Sequence, residues 1–328
     1  MRNTVVYTLT DPVRGALHAA MFGQDQGAPT FSMSARLMGT TANVTTVGGQ
    51  GDLPARMIES LERLSGLWSR FIDDSEISRL NNSPGVPLEV SVETVRLIEK
   101  MQAGYTRSKG AFDPTLLPAL IAEGYGSSLV NPDARTRIPK GSRNRGSLLD
   151  IVIEGNRVTL PLGTTLDSGG VGKGLAADMV AEFALTEGAL GAMVEVGGDL
   201  RTIGLSPRAD RWRLAIEHPL EPGVRLAVVE LSDQGLATST VTKRRFSVDG
   251  RATHHIINPK TLASADSDTI QASVIADTAA EAEMWTKVAF VRGSKDLLTR
   301  ARTHGFHAAC FLRSGEWVTT PGWPVVDA

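Results

Sequence analysis

The sequence predicts an α+β fold, with helices and strands segregated rather than alternating. Apolar residues recur at helical spacing in two long stretches of the first half. The second half instead breaks into short apolar runs separated by turn residues. Strict strand–helix alternation, the mark of a doubly wound parallel sheet, is absent. The length of 328 residues allows a large core. Hydrophobic content of 41% with 21% charged residues is ordinary for a globular protein.

Residues 1–33 read as a flexible lead-in, marked by Gly23-Gln24-Asp25-Gln26-Gly27, and residues 34–328 as one domain. The polar start carries no apolar signal-peptide core and no acylatable cysteine, so a cytoplasmic location is expected. No stretch approaches the roughly 18 apolar residues that span a bilayer. Folding is expected to begin near Met38-Gly39-Thr40 and to lead into a strand over 42–47. Ile58, Leu61, Leu64, Trp68 and Phe71 then mark a helix over 53–71. Val95, Ile98, Met101 and Tyr105 mark a second over 92–108, with Ser91 as its N-cap. Residues 124–147, rich in Gly, Ser, Asn, Pro and Arg, read as a solvated loop rather than an anion site.

Strands are expected over 148–153 and 157–160, on either side of Glu154-Gly155-Asn156. Others follow over 193–196, 199–205, 212–217, 226–231 and 270–276. A helix over 279–291 starts at a capping box formed by Thr278 and Glu281. A net charge of −2 gives no bulk attraction to nucleic acid or anionic membrane, and the sparse aromatics are not interleaved with basic residues. The lone Cys310, inside Ala308-Ala309-Cys310-Phe311-Leu312, reads as a buried thiol and excludes intrachain disulfides and multi-cysteine zinc sites.

The most informative segment runs over 166–178, where Gly169, Gly170, Gly172 and Gly174 surround Lys173 just ahead of an Ala-rich helix start. Glycines let backbone N–H groups approach an anion, and the lysine adds a point charge. Neither common nucleotide motif fits. A Walker A loop needs Ser or Thr where Gly174 stands, and the glycines are spaced by two rather than as G-x-G-x-x-G. The segment binds a phosphorylated ligand or is structural.

Three further groups bear on chemistry. His254 and His255 precede Ile256-Ile257-Asn258-Pro259; side chains of adjacent strand residues point to opposite faces, which disfavours a shared zinc. Taken locally, a histidine at a strand end is more often structural. Glu283 and Lys287 stand four apart in the favourable order for a helical ion pair. Val194-Glu195-Val196-Gly197-Gly198-Asp199-Leu200 reads as strand, glycine turn and strand. No G-x-S-x-G elbow occurs.

Taken in order, these segments resemble the ApbE-type FAD:protein FMN transferases, or flavin transferases. The resemblance runs from Met38-Gly39-Thr40 to Gly293. It includes the run from Phe71 to Asn81, Gly110-Ala111-Phe112-Asp113-Pro114-Thr115, the glycine-lysine segment, Ala237-Thr238-Ser239 and the run from His255 to Thr261. The resemblance implies that family's fold, with mixed sheets and flanking helices. It implies cleavage of the FAD pyrophosphate and transfer of FMN to a Thr or Ser hydroxyl of a partner protein, with release of AMP. By position, Met38, Phe71, Ala111, Phe112 and Asp113 would line the flavin and adenosine pocket. Asp167, Lys173 and Ile257 would contact FAD. His255 would be the general base, with Lys173 neutralising phosphate charge.

The family's magnesium would take a backbone carbonyl at Gly170, then an aspartate and a threonine on the later helix. Those two positions hold Glu283 and Lys287 here. Glutamate can bind a hard cation, whereas protonated lysine cannot. The expectation is that the Lys287 ammonium, paired with Glu283, takes part of the cation's place, so that magnesium binding is weak or absent. Leu262 stands where the family usually has glycine. Two alternatives to transfer stay open: an FAD-binding paralogue without transfer, and a pyrophosphatase giving FMN and AMP.

Overall fold

The computed structural model describes residues 28–128, 130–208 and 211–327. Its first half contains β1 (Thr30–Leu37), β2 (Thr40–Gly48), α1 (Leu53–Trp68), α2 (Glu76–Asn82), β3 (Leu88–Glu89), α3 (Val92–Ser108) and α4 (Leu117–Ala122). Next come β4 (Val152–Glu154), β5 (Arg157–Thr159), α5 (Gly172–Thr186), β6 (Ala189–Val196), β7 (Asp199–Gly204), β8 (Trp212–Glu217) and β9 (Arg225–Leu231). The chain continues through β10 (Gly235–Thr240), β11 (Arg245–Val248), β12 (Arg251–His254), β13 (Thr269–Ala276), α6 (Ala279–Arg292) and α7 (Ser294–His304). It closes with β14 (His307–Leu312), β15 (Trp317–Thr319) and β16 (Val325–Asp327).

One antiparallel sheet organises the molecule, in the order β1-β2-β6-β7-β10-β13-β14-β15. Helices α1, α5, α6 and α7 pack on one face of it. The core between them holds Trp285, Phe290, Met57, Leu61 and Leu64. A small sheet, β16-β9-β8, covers the other face, where Leu200, Leu236 and Ile275 meet Ile216, Val229 and Leu231. This α+β segregation matches the sequence reading.

The boundaries bring several corrections. Among the described residues the first strand is β1, which starts before the expected start at Met38, and the lead-in limit at residue 33 falls inside it. Residues 1–27 of the lead-in lie outside the described residues. β1 escaped detection because it is an edge strand with mostly exposed side chains, so it lacks apolar alternation. Its hairpin turn places Met38 at φ 50 and Gly39 at φ 72, the left-handed pair that a two-residue turn of this type requires. Helix α1 stops at Trp68 rather than Phe71, because Ser69 turns to extended backbone. The stretch over 148–153 divides into a 3-10 turn at Leu148–Asp150 and β4. Ser91 does cap α3, accepting from the Thr94 N–H at 3.3 Å. Cys310 is buried, and that burial pushes its thiol pKa up to about 12.

Helices α5 and α6 cap one another. Val171, at the start of α5, contributes no side-chain cap. Glu283 of α6 fills the gap, its Oε2 accepting from the Gly174 N–H at 2.9 Å. In return, Asp178 of α5 accepts from Ala279 N–H at 2.8 Å and Ala280 N–H at 2.9 Å. Thr278 Oγ1 accepts from Glu281 N–H at 3.2 Å, half of the expected capping box. The other half is diverted, since the Glu281 carboxylate pairs with Arg107 at 2.6 Å and accepts from Trp285 at 3.2 Å. Such closeness requires glycine at 174: a Cβ there would lie 2.4 Å from the Ala279 carbonyl oxygen.

Among the described residues no helix is long and apolar enough to cross a membrane. Gly174→Ala is expected to destabilise the fold by about 3 kcal/mol through overpacking. Gly66→Ala, where a Cβ on α1 meets nothing within 4 Å, is expected to stabilise it by about 0.5–1 kcal/mol. Denaturant titration of both variants checks the contrast; equal effects would contradict the helix contact.

Candidate active site

A cavity of about 510 Å³ opens where the tip of the β1–β2 hairpin, the end of α1, the start of α5 and the segment after β12 converge. Met38, Phe71, Ala111, Phe112, Asp113, Asp167, Gly170, Lys173, His255, Ile257 and Lys287 all line it. Glu283 does not; it is wholly buried behind the wall.

One end of the cavity is aromatic and cationic. Because α1 ends at Trp68, Phe71 leaves the helical face and reaches Tyr125, with ring centroids 5.9 Å apart. Tyr125 stacks in turn on Phe246 at 5.2 Å. The Arg70 guanidinium lies 4.2 Å from the Phe71 centroid and 4.6 Å from that of Tyr125, within cation–π range. Asp167 pairs with Arg70 Nε at 3.0 Å and accepts from Gly169 N–H at 3.3 Å. Asp113 is also occupied, by Arg145 at 2.9 Å and by the Thr115 hydroxyl at 2.6 Å. Both carboxylates therefore order the walls. The loop over 124–147, read as merely solvated, contributes Tyr125, Ser128, Asn131 and Ala134 to the lining. Gly170 lets Phe112 lie against the glycine loop, since a Cβ there would come within 2.7 Å of the ring.

The other end is a charge cluster. Lys173 Nζ donates to Asp199 Oδ2 and, at 2.8 Å, to Glu283 Oε1. Burial disfavours its ammonium, but the two carboxylates outweigh that and raise its pKa. Burial, followed by the Glu283 charge, pushes Asp199 up to about 6. Glu283 is also opposed by burial, yet Lys173 and Lys287 hold it below its usual range. Asp199 Oδ1 is buried with no hydrogen-bond partner among the described residues.

Two features show how this cluster shares out its charges. The anion at the glycine-lysine loop is a carboxylate of the protein, since Glu283 takes both the Gly174 N–H and the Lys173 ammonium. Lys173 reaches the cavity wall with its charge already paired. The Glu283–Lys287 pair is marginal at 4.0 Å. Lys287 Nζ donates instead to Ser239 Oγ at 2.9 Å, Thr286 Oγ1 at 3.1 Å and the Glu283 carbonyl at 3.2 Å. These residues do not fit magnesium. Both Glu283 oxygens are taken, the side chain is cut off from the cavity, and an ammonium fills the third position. No group of three His, Cys, Asp or Glu able to hold a metal occurs among the described residues.

The two histidines diverge as their spacing predicted. His254 Nδ1 accepts from Ile256 N–H at 3.3 Å, so Nε2 carries the proton and donates to the Ala265 carbonyl at 2.9 Å. His255 faces the cavity, and its buried Nδ1 has no hydrogen-bond partner among the described residues. Burial, then Arg244 and Lys287, hold its pKa well below the usual 6.5, so the ring is neutral at pH 7. Leu262, in the turn after Pro259, adopts φ 59 and packs in the cluster with Ile257, Leu116 and Leu120. It keeps the left-handed backbone that glycine would supply, at a strain of about 1 kcal/mol.

Sequence reasoning missed Arg70, Tyr125, Asp199 and Arg244. Asp199 had a signal in Gly197-Gly198-Asp199, and Arg244 sat in the basic run Lys243-Arg244-Arg245. Nothing local marked Arg70 or Tyr125, whose meeting depends on the tertiary fold.

Comparison with known proteins finds relatives both by sequence and by fold. Among curated proteins, the FAD:protein FMN transferase of Vibrio cholerae serotype O1 is 28% identical over 249 residues, covering 73% of this chain and 74% of that one. That of Klebsiella pneumoniae strain 342 is 26% identical over 300 residues, covering 88% and 86%. Among solved structures, the ApbE protein of Thermotoga maritima superposes with a TM-score of 0.78 at 24% identity, covering 89% of this chain and 97% of that one. The apo flavinyl transferase ApbE of Pseudomonas stutzeri gives 0.74 at 25%, covering 90% and 96%. The model of the ApbE family matches residues 38–311, most of the chain, and the protein belongs to that family.

Proposed function

We propose that the protein is an FAD:protein FMN transferase, moving FMN from FAD to a Thr or Ser hydroxyl of a partner protein and releasing AMP. One observation carries the reading. A neutral His255 lines the same cavity as the cations Lys287 and Arg244 and the Phe71–Tyr125 aromatic end. The Vibrio cholerae and Klebsiella pneumoniae relatives, both FAD:protein FMN transferases by name, support the same activity.

The chemistry follows from these side chains. A hydroxyl is too weak a nucleophile at neutral pH without a base. His255 takes the acceptor proton as the hydroxyl oxygen bonds to the phosphorus of the FMN half. The P–O bond to the AMP half breaks, and AMP departs with the electron pair. Phosphoryl transfer demands charge neutralisation and in-line placement more than covalent help from the protein. The Phe71–Tyr125–Arg70 group offers π faces and an edge charge suited to a flat ring system, which would fix one end of FAD.

Incubation with FAD and a candidate acceptor, read by in-gel flavin fluorescence and AMP release, tests the proposal. A labelled acceptor with stoichiometric AMP is expected. Free FMN with AMP would mark a pyrophosphatase, and bound FAD without AMP a non-transferring paralogue. His255→Ala is expected to slow transfer by about 10²–10⁴-fold while FAD affinity changes little; equal loss of both would make His255 structural. Because His255 is held well below 6.5, its base form is present throughout the neutral range. Transfer at limiting acceptor is therefore expected to stay level from about pH 8 to about pH 6.5 and to fall only in more acid solution. A decline beginning near pH 7 would contradict the assignment.

A further inference from the structure

The cavity end near His255 presents three cations whose states differ. Lys173 is neutralised by Asp199 and Glu283. Lys287 sits in a cage of neutral oxygens, two hydroxyls and a carbonyl, 4.0 Å from the Glu283 carboxylate. Arg244 lines the same wall and has no hydrogen-bond or ion-pair partner among the described residues. Counting Lys173, Lys287 and Arg244 against Asp199 and Glu283 leaves one unmatched positive charge, facing inward.

The oxygen cage around Lys287 Nζ is the donor type that suits a hard cation, but its distances of 2.9–3.2 Å are those of ammonium hydrogen bonds. Magnesium binds oxygens at about 2.0–2.1 Å and would need carboxylate or water ligands. Glu283 cannot turn toward the cavity without abandoning the Gly174 N–H and Lys173 together. The cation built into this wall is therefore organic, fixed at one end by helix α6 and supplemented by a guanidinium from the segment between β10 and β11.

We propose that Lys287 and Arg244 form a metal-free clamp for the pyrophosphate of FAD, doing in this chain the work of a divalent cation. The inference rests on FAD being the substrate. The Lys287 charge, solvated by neutral groups, projects into the cavity. Arg244 can meet two phosphate oxygens with its planar fork. The same two cations flank His255 and help to keep it neutral in the free protein.

The test separates binding from transfer. FAD affinity of the full chain, measured by flavin fluorescence quenching, is expected to be the same within twofold in chelator and in magnesium. Mn²⁺ added to the FAD complex is expected to keep its free-ion EPR spectrum. Lys287→Met and Arg244→Gln are each expected to weaken FAD binding by about tenfold; Arg244, half-exposed, serves as the variant that leaves the core undisturbed. Glu283→Asp with Lys287→Thr is expected to bind Mn²⁺. FAD affinity that collapses in chelator and returns with magnesium would overturn the clamp, as would Mn²⁺ held by the unaltered complex. Unchanged FAD affinity in Arg244→Gln and Lys287→Met would do so too. Metal-independent FAD binding without any labelled acceptor would leave the clamp standing and remove the transferase reading.

Discussion

The mutual capping of α5 and α6 is the interaction on which the rest of this structure depends. Each helix begins with unpaired backbone N–H groups, and each receives a carboxylate from the other, Glu283 at Gly174 and Asp178 at Ala279 and Ala280. The exchange holds the two helix starts in backbone contact, which only glycine at 174 permits. Because both carboxylates are buried, neither is replaceable at low cost. Removing one partner of a buried charged pair costs about 3–5 kcal/mol. The fold thus commits two of its acids to architecture.

That commitment sets the electrostatics of the cavity. With Glu283 on the helix N-terminus, Lys173 must turn inward to pair with it and with Asp199. A loop that would otherwise cradle phosphate becomes a closed internal ion cluster. The surplus positive charge moves one step outward, to Lys287 and Arg244, beside the neutral His255. Ser239, from the Ala237-Thr238-Ser239 segment, supports Lys287 rather than the ligand. The aromatic end is independent of this cluster, since Arg70 answers to Asp167 and to the Tyr125 carbonyl.

Much of this was legible in the sequence where one physical rule dominated. Helical periodicity and a serine N-cap place α3 at its observed bounds, and alternation across the strand end separates His254 from His255. The ordered set of motifs identified residues that converge on a single cavity. Failures came where tertiary partners decide. β1 hides because an edge strand needs no apolar stripe. Lys173 looked like a phosphate ligand because its carboxylates arrive from β7 and α6, distant in sequence. Glu283 and Lys287 do pair at 4.0 Å as their spacing allows, but each makes shorter contacts that the spacing does not show. Arg70 and Tyr125 carry no pattern, since a helix ending one turn early is what brings their rings and charge together.

The most direct test of this account is a crystal structure of the protein with FAD bound. The account predicts Glu283 still on the Gly174 N–H and Lys173, with the pyrophosphate against Lys287, Arg244 and His255. A phosphate oxygen on the Gly174 N–H, with Glu283 displaced into the cavity, would contradict it.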